Sequence, residues 1–113
     1  MKIELLHIAD CPNVDAARRL LTEALRELGL PEEVSEIEVC DSAQAEALAF
    51  PGSPTLRVDG TDVETTLTRQ SSYGLSCRTY VVDGTRYGVP SQEIIRKAIQ
   101  SAVALADREK QES

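Results

Sequence analysis

The sequence predicts one α/β domain, built on a central mixed sheet of four to five strands flanked by helices. Three observations predict this class. Short strand-like segments alternate with amphipathic helical segments, a Cys-Pro pair at Cys11 and Pro12 separates the first strand from the first helix, and Gly-Ser-Pro-Thr at 52–55 leads into a later strand. The chain has 113 residues and is 42% hydrophobic, which suits a single domain, assigned here to residues 1–106.

The first part of the chain reads as strand, helix, strand. Residues 2–8 form a short apolar strand. Apolar residues then recur at three- and four-residue intervals, which is the spacing of one helical face: Val14, Ala17, Leu21, Ala24, Leu25 and Leu28. The helix is predicted to begin at Pro12 and to end at Gly29. Residues 34–40 alternate between apolar and polar, as an edge strand does. They should pair in parallel with the first strand.

A second helix and a third strand follow. Asp41 is placed to cap a short helix that reaches about Ala49, and Gln44 is placed to complete a capping box. Residues 55–58 are predicted as a strand. The polar stretch 61–76 has no clear periodicity, so it is predicted as an inserted loop.

The chain closes with a hairpin and a helix. Residues 78–82 and 85–88 are predicted to pair around an Asp-Gly turn at 83–84. Ser91 should cap the last helix, which carries apolar residues at helical spacing. Residues 107–113 are predicted to be a disordered, charged C-terminal tail.

Charge and cysteine content exclude some classes of function. Lysine and arginine number 12 against 19 acidic residues, a net charge of −7, which argues against a nucleic-acid partner. There is no signal peptide and no apolar run near the roughly 20 residues that cross a bilayer, so the prediction is a cytoplasmic protein without membrane association. In a reducing compartment, three cysteines are expected to be thiols.

Cys11 is the leading candidate for a reactive thiol. It falls where the first strand gives way to the first helix, and unpaired N–H groups and the helix macrodipole favour a thiolate there. Asp10 and Asp15 flank it, and their negative charges oppose that effect. The alternative reading is a small hydrophobe that fills the strand–helix junction.

A second thiol would have to come from elsewhere. A thioredoxin-type dithiol motif needs another cysteine three residues on, where Val14 stands. Cys40 ends the second strand, at the same sheet edge as Cys11, and Cys77 follows the predicted loop. The residues themselves leave Cys40, Cys77, a small-molecule thiol and another protein open as the resolving partner.

The remaining candidate side chains are interpreted as structural residues. His7 lies within an apolar strand and is interpreted as a satisfied core residue. The three tyrosines, Tyr73, Tyr80 and Tyr87, are interpreted as packing residues. No spacing of cysteine and histidine matches a zinc or iron–sulfur site, so neither a metal site nor a cofactor is predicted.

Four segments together carry a family resemblance: Ile8 to Asn13, Phe50 to Thr55, Val58 to Asp62 and Gly74 to Tyr80. They resemble a small bacterial family of thioredoxin-like proteins, labelled thioredoxin family or "DF family (seleno)protein" and sometimes associated with alkylmercury lyase. The similarity covers nearly the whole chain and implies a thioredoxin-like fold. Some members carry selenocysteine at the position of Cys11, which implies a redox role there.

The resemblance also implies roles for further residues. Cys77 lies in the matching Ser-Cys-Arg motif, which favours it as a second functional thiol. Pro54 stands where thioredoxin-like proteins place a cis-proline facing the reactive thiol. Ser53 would then offer its backbone to an extended substrate, with Pro12 and Thr55 completing the substrate-binding set.

Three functions compete at this point. The first is a thiol redox protein acting on protein or small-molecule thiols and disulfides, with Cys11 as nucleophile and Cys77 or Cys40 resolving. As an enzyme it would be a thiol–disulfide oxidoreductase or a thiol peroxidase. The second is a protein whose thiolates bind mercury or copper(I). The third is a thioredoxin-fold interaction module with inert cysteines.

Overall fold

Strands and helices alternate along the computed structural model of the chain, which describes residues 1–64, 80–82 and 84–112. In chain order the elements are β1 (Ile3–His7), α1 (Val14–Glu27), β2 (Ser35–Glu38), α2 (Ser42–Ala47), β3 (Thr55–Val58), β4 (Thr61–Asp62), β5 (Tyr80–Val82), β6 (Thr85–Tyr87) and α3 (Gln92–Glu112). The α/β class predicted from the sequence is confirmed.

Within the described residues, the central sheet has four strands in the order β2-β1-β3-β4. β1 pairs in parallel with β2, so that Leu6 lies opposite Ile37, and it pairs antiparallel with β3, so that Leu6 also lies opposite Thr55. This confirms a mixed sheet with the second strand at its edge. The β5–β6 hairpin forms a separate two-stranded sheet and does not extend the central one.

β1 separates two apolar clusters because its successive side chains point to opposite faces of the sheet. Ile3 and Leu5 lie in the larger cluster, with the apolar faces of α1 and α3. Leu6 lies in the smaller cluster, where Phe50 and α2 cover the other face. Leu5 and Leu6 are both fully buried, and such burial is worth about 1.5–3 kcal/mol per side chain.

α1 begins later than predicted. Its first residue is Val14 and its N-cap is Asn13, so the prediction that it begins at Pro12 is wrong by two residues. The cause is a turn in which Asp10 adopts a left-handed conformation (φ 57°) and the N–H of Val14 lies 3.4 Å from the carbonyl oxygen of Cys11. Asp is one of the residues that adopts this conformation most readily.

The start of α2 confirms the cap at Asp41, but the predicted capping box is not formed, because the Gln44 side chain bonds to the residue before the cap rather than to the cap itself. The carboxylate of Asp41 accepts a 2.7 Å hydrogen bond from the N–H of Gln44. The Gln44 side chain in turn accepts a 2.9 Å hydrogen bond from the N–H of Cys40, one residue before the cap. The helix ends at Ala47, and Ala49 already has a positive φ of 50°, so the predicted end at Ala49 is two residues too late.

The predicted loop over 61–76 is wrong at its start, because Thr61 and Asp62 form β4. They pair with Val58 and Arg57 of β3. The turn between the strands is Asp59-Gly60, with φ values of 51° and 83°. Two consecutive positive φ values suit the type I′ turn that joins two strands tightly. The rest of the predicted loop, from residue 65 on, lies outside the described residues.

α3 begins as predicted and ends later. Ser91 accepts a 3.2 Å hydrogen bond from the N–H of Ile94, which confirms the cap. The helix continues to Glu112, so the prediction of a disordered tail is wrong for residues 107–112. Most residue types in that segment are strong helix formers. None of the described helices is long and apolar enough to cross a membrane.

Candidate functional site

Cys11 lies in the loop that joins β1 to α1. It is half-buried, it packs against the larger apolar cluster, and it forms no disulfide. Because α1 begins at Val14, Cys11 precedes the N-cap residue Asn13 by two positions. The sequence prediction placed this thiol directly at the helix N-terminus, and the structure instead places it in the approach to that terminus.

The turn formed by Ser53, Pro54 and Thr55 lies at the same end of the central strands as the Cys11 loop. The antiparallel register of β1 and β3 continues to this point, where the N–H of Ile8 donates a 3.1 Å hydrogen bond to the Ser53 hydroxyl oxygen. This hydrogen bond joins Ile8, the first residue of the loop that carries Cys11, to the turn. The Ser53–Pro54 peptide bond is cis, as the sequence predicts.

The side chains of this turn point into the protein. Ser53 and Thr55 are fully buried, and the Thr55 hydroxyl donates a 2.6 Å hydrogen bond to the carbonyl oxygen of Gly52. Pro12, the other residue predicted to contact substrate, is exposed. Side-chain contact with a substrate is thus available at Pro12, whereas Ser53 and Thr55 hold the shape of the turn.

The β5–β6 hairpin contacts both the turn and the Cys11 loop. The buried hydroxyl of Tyr80 donates a 2.6 Å hydrogen bond to the carbonyl oxygen of Pro54. Just after β6, Gly88 lies against Asn13: a Cβ atom placed on Gly88 would be 2.6 Å from Cγ of Asn13. Sequence reasoning interpreted Tyr80 as a packing residue and missed both contacts.

Cys40 occupies a different environment. It is exposed, and its sulfur lies 3.6 Å from a carboxylate oxygen of Glu38 and 3.7 Å from the Glu38 carbonyl oxygen. The pKa of the Cys40 thiol is raised, first because nearby protein atoms displace water from it. Its hydrogen bond to Glu38 and the charges of Glu38 and Asp41 raise the pKa further. These effects disfavour the thiolate form of Cys40.

His7, the last residue of β1, is part-buried, with its side chain 16% exposed. Its Nε2 atom is 3.8 Å from a carboxylate oxygen of Glu36, and Glu36 receives two hydrogen bonds from Arg18, at 2.6 and 2.8 Å. Arg18 also contacts Asp15 at 2.6 Å. The hydrogen bonds from Arg18 are the main reason that the pKa of Glu36 is lowered. The sequence predicted a core histidine and gave no sign of these contacts among His7, Glu36 and Arg18.

The structure thus brings the Cys11 loop and the Ser53-Pro54-Thr55 turn together. Cys40 lies beyond the end of β2, where its sulfur contacts Glu38. Cys77 lies outside the described residues. Within the ranges 1–64, 80–82 and 84–112, no group of three or more His, Cys, Asp or Glu side chains is arranged to hold a metal ion.

Comparison with known protein families gives a match over most of the chain. A family model described as a domain of unknown function, DUF2703, matches residues 10–99. The matched segment includes both Cys11 and the Ser53-Pro54-Thr55 turn. No curated protein and no solved structure matches the chain.

Proposed function

The chain belongs to the DUF2703 family, and we propose that it is a thiol redox protein in which Cys11 is the nucleophile. The observation that carries this proposal is the hydrogen bond from Ile8 to Ser53, at 3.1 Å. It fastens the loop of a half-buried, unbridged thiol to a buried turn at the same sheet edge. A thiol on a loop held by a rigid scaffold is a common arrangement for a reacting group.

The proposal includes a thioredoxin-like arrangement of the chain. Its support is the order of the elements: a parallel β1-α1-β2 unit, then the antiparallel β3–β4 pair, then the helix α3 packed against α1. The Cys11 loop and the turn before β3 meet at one end of this sheet. That meeting point is where we place the reaction.

The proposed reaction is thiol–disulfide exchange. The Cys11 thiolate attacks one sulfur of a substrate disulfide, which forms a mixed disulfide and releases the other substrate sulfur as a thiolate that takes up a proton. A second protein thiolate then attacks the Cys11 sulfur and releases the second substrate thiol. The substrate disulfide is reduced by two electrons, and two protein thiols become one disulfide.

Cys77 is the proposed resolving residue. The raised pKa of Cys40 weakens that residue as an attacking thiolate at neutral pH. Cys77 precedes Tyr80 by three residues, a span of at most about 11 Å in any chain conformation. The Tyr80 hydroxyl is hydrogen-bonded to Pro54, in the turn that faces the Cys11 loop. Chain connectivity therefore supports Cys77 as a partner for Cys11.

We further propose that the protein works in the reducing cytoplasm on protein or small-molecule thiols and disulfides. The free thiols of Cys11 and Cys40 support this setting, because disulfides are rare in the reducing cytosol. The exposed Pro12, next to Cys11, is the side chain that we expect a substrate to touch first.

The test compares three variants in the reduction of a chromogenic aryl disulfide. Cys11→Ser should abolish the burst of released aryl thiol. Cys77→Ser should release one aryl thiol and trap a mixed disulfide on Cys11. Cys40→Ser is the matched control and should behave as the wild type. Mass mapping of the oxidised wild type should find a Cys11–Cys77 bridge. A full burst from Cys11→Ser, or only intermolecular bridges in the wild type, would favour an interaction module instead.

A further inference from the structure

We propose that a cavity between the β3–β4 hairpin and α3 is a binding site for a small organic cation with an apolar tail. The cavity has a volume of about 690 Å³. Volumes of about 300–1,000 Å³ are usual for sites that hold small molecules. Neither the Cys11 loop nor the Ser53-Pro54-Thr55 turn contributes to its described lining, so this site is separate from the proposed reactive thiol.

The walls of the cavity are apolar. On the sheet side are Val58, the last residue of β3, and Val63, which follows β4, and both are almost fully buried. On the helix side, four apolar residues of α3 form a stripe at helical spacing: Ile94, Ala98, Ala102 and Leu105. From its first residue to its last, the stripe runs for about 16 Å along the helix. A hydrocarbon tail can therefore lie along α3 and touch apolar side chains on both sides.

One end of this stripe is open to water. Leu105 is 57% exposed, whereas Ala98 and Ala102 are part-buried. The alanines in the middle of the stripe are small, which leaves space between the helix and the hairpin. A concave apolar surface that leaves a large apolar side chain exposed is typical of a binding site, because a bound apolar group removes that surface from water.

The hairpin side of the cavity carries negative charge. The Asp59 carboxylate accepts a 2.7 Å hydrogen bond from the backbone N–H of Lys2, and among the described residues no lysine or arginine side chain forms an ion pair with it. Asp62 and Glu64 line the same side and have contacts of their own. Asp59 is therefore the carboxylate that binds the cationic group of the ligand.

Lys97, on the helix side, does not cancel this charge. Its Nζ atom lies 3.1 Å from a carboxylate oxygen of Glu93, so its own charge is already matched. The chain as a whole has a net charge of −7, which attracts cations over a longer range. A ligand that joins an apolar tail to a positive charge fits both the walls and the charge, whereas a carboxylate with the same tail is repelled.

The first test compares four probes on the wild type at pH 7, below the concentrations at which they form micelles. Titrations followed by NMR of the backbone amides give each affinity and show which amides respond. Octyltrimethylammonium should bind saturably and shift the amides of Val63, Ala98 and Ala102. Octanoate should bind about fivefold or more weakly, with octanol between the two. Tetramethylammonium, which has the charge without the tail, should not bind saturably.

The second test uses three variants. Asp59→Asn keeps an oxygen that can accept from Lys2, and asparagine tolerates the φ of 51° at this position. It should weaken the binding of octyltrimethylammonium about two- to fivefold and leave that of octanol unchanged. Ala98→Leu fills part of the cavity and should weaken the binding of both probes about tenfold. Ala104→Leu is the matched control, because Ala104 is exposed on the same helix and does not line the cavity, and it should bind as the wild type does.

Other outcomes overturn the inference. Equal affinities for octyltrimethylammonium and octanoate, or no effect of Asp59→Asn, would show that the site does not select a cation. Equal effects of Ala98→Leu and Ala104→Leu would place the binding elsewhere. No saturable binding, or a wild-type dimer that Ala98→Leu converts to a monomer in sedimentation, would show that protein fills the cavity. If Ala98→Leu does not fold, the four probes and Asp59→Asn still decide.

Discussion

The hydroxyl group of Tyr80 donates a 2.6 Å hydrogen bond to the carbonyl oxygen of Pro54, and both side chains are fully buried. The bond joins the hairpin to the turn before β3, two segments that lie 26 residues apart in the sequence. Each segment therefore buries one polar atom whose hydrogen-bond partner lies in the other segment. Separating the two would be costly, because a buried polar group without a partner destabilises the folded protein.

Tyr80→Phe should therefore lower the free energy of unfolding by about 1–3 kcal/mol, since the buried Pro54 carbonyl loses this donor. Urea denaturation measures the change. Tyr87→Phe is the matched control: Tyr87 is 49% exposed, and its variant should stay within about 0.5 kcal/mol of the wild type. Equal stabilities for the two variants would mean that the Tyr80–Pro54 bond contributes nothing.

Cys11 should be alkylated faster than Cys40 in the reduced native protein at pH 7, because the raised pKa of Cys40 keeps its thiolate scarce. Competitive iodoacetamide labelling read by mass spectrometry gives both rates. Glu38→Gln removes the neighbouring carboxylate, so it should speed the labelling of Cys40 and leave that of Cys11 unchanged. Faster labelling of Cys40 in the wild type would contradict the choice of Cys11.

Ser53→Ala should destabilise the protein by about 1–3 kcal/mol, because the partly buried N–H of Ile8 loses its acceptor. Ser35→Ala, at an exposed position of β2, is the control and should change stability by less than about 0.5 kcal/mol. Chemical denaturation compares the two. A wild-type stability for Ser53→Ala would show that water replaces the hydroxyl group.

Arg18→Gln should reduce stability at pH 7 more than at pH 3. The pKa of Glu36 is lowered in the folded protein, mainly by its hydrogen bonds to Arg18, so the pair contributes fully above the usual carboxyl pKa of 4.5. That contribution is lost as the pH falls through the lower, folded-state pKa. The side chains are 41% and 35% exposed, so the difference at pH 7 should be below about 1 kcal/mol.

Urea unfolding of the wild type and of Arg18→Gln at the two pH values tests this sign. Arg19→Gln, an exposed position next to Arg18, controls for the loss of a positive charge from α1. A destabilisation by Arg18→Gln that is as large at pH 3 as at pH 7 would assign the effect to packing of the Arg18 stem.

The sequence predicted the elements whose signals are local and strong. The Asp-Gly pair at 83–84 correctly marked the β5–β6 hairpin, with Val82 opposite Thr85. The same pair at 59–60 forms the β3–β4 turn, but the polar residues Thr61 and Asp62 that follow it carry no apolar strand pattern, and β4 is only two residues long. The Asp-Gly turn signal is therefore present, but a strand of two residues is too short to show a strand pattern beside it.

The contacts that shape the candidate site could not be predicted in this way. Gly88 and Asn13 lie 75 positions apart, and nothing in either local sequence identifies the other as its neighbour. The contacts of Glu36 with His7 and Arg18 likewise depend on the register of β1 with β2 and on the face that α1 presents. Such contacts follow from tertiary packing, for which one sequence carries no local pattern.

β2 also bears on how the protein behaves at high concentration. It is the outer strand on one side of the sheet, and Glu36 and Glu38 are exposed on it. Two copies joined edge to edge through β2 would bring like charges face to face, which natural sheets use against aggregation. On the other side of the sheet, within the described residues, the outer strand β4 has only two residues. Edge-to-edge pairing of two copies through this sheet is therefore disfavoured at both of its described outer strands.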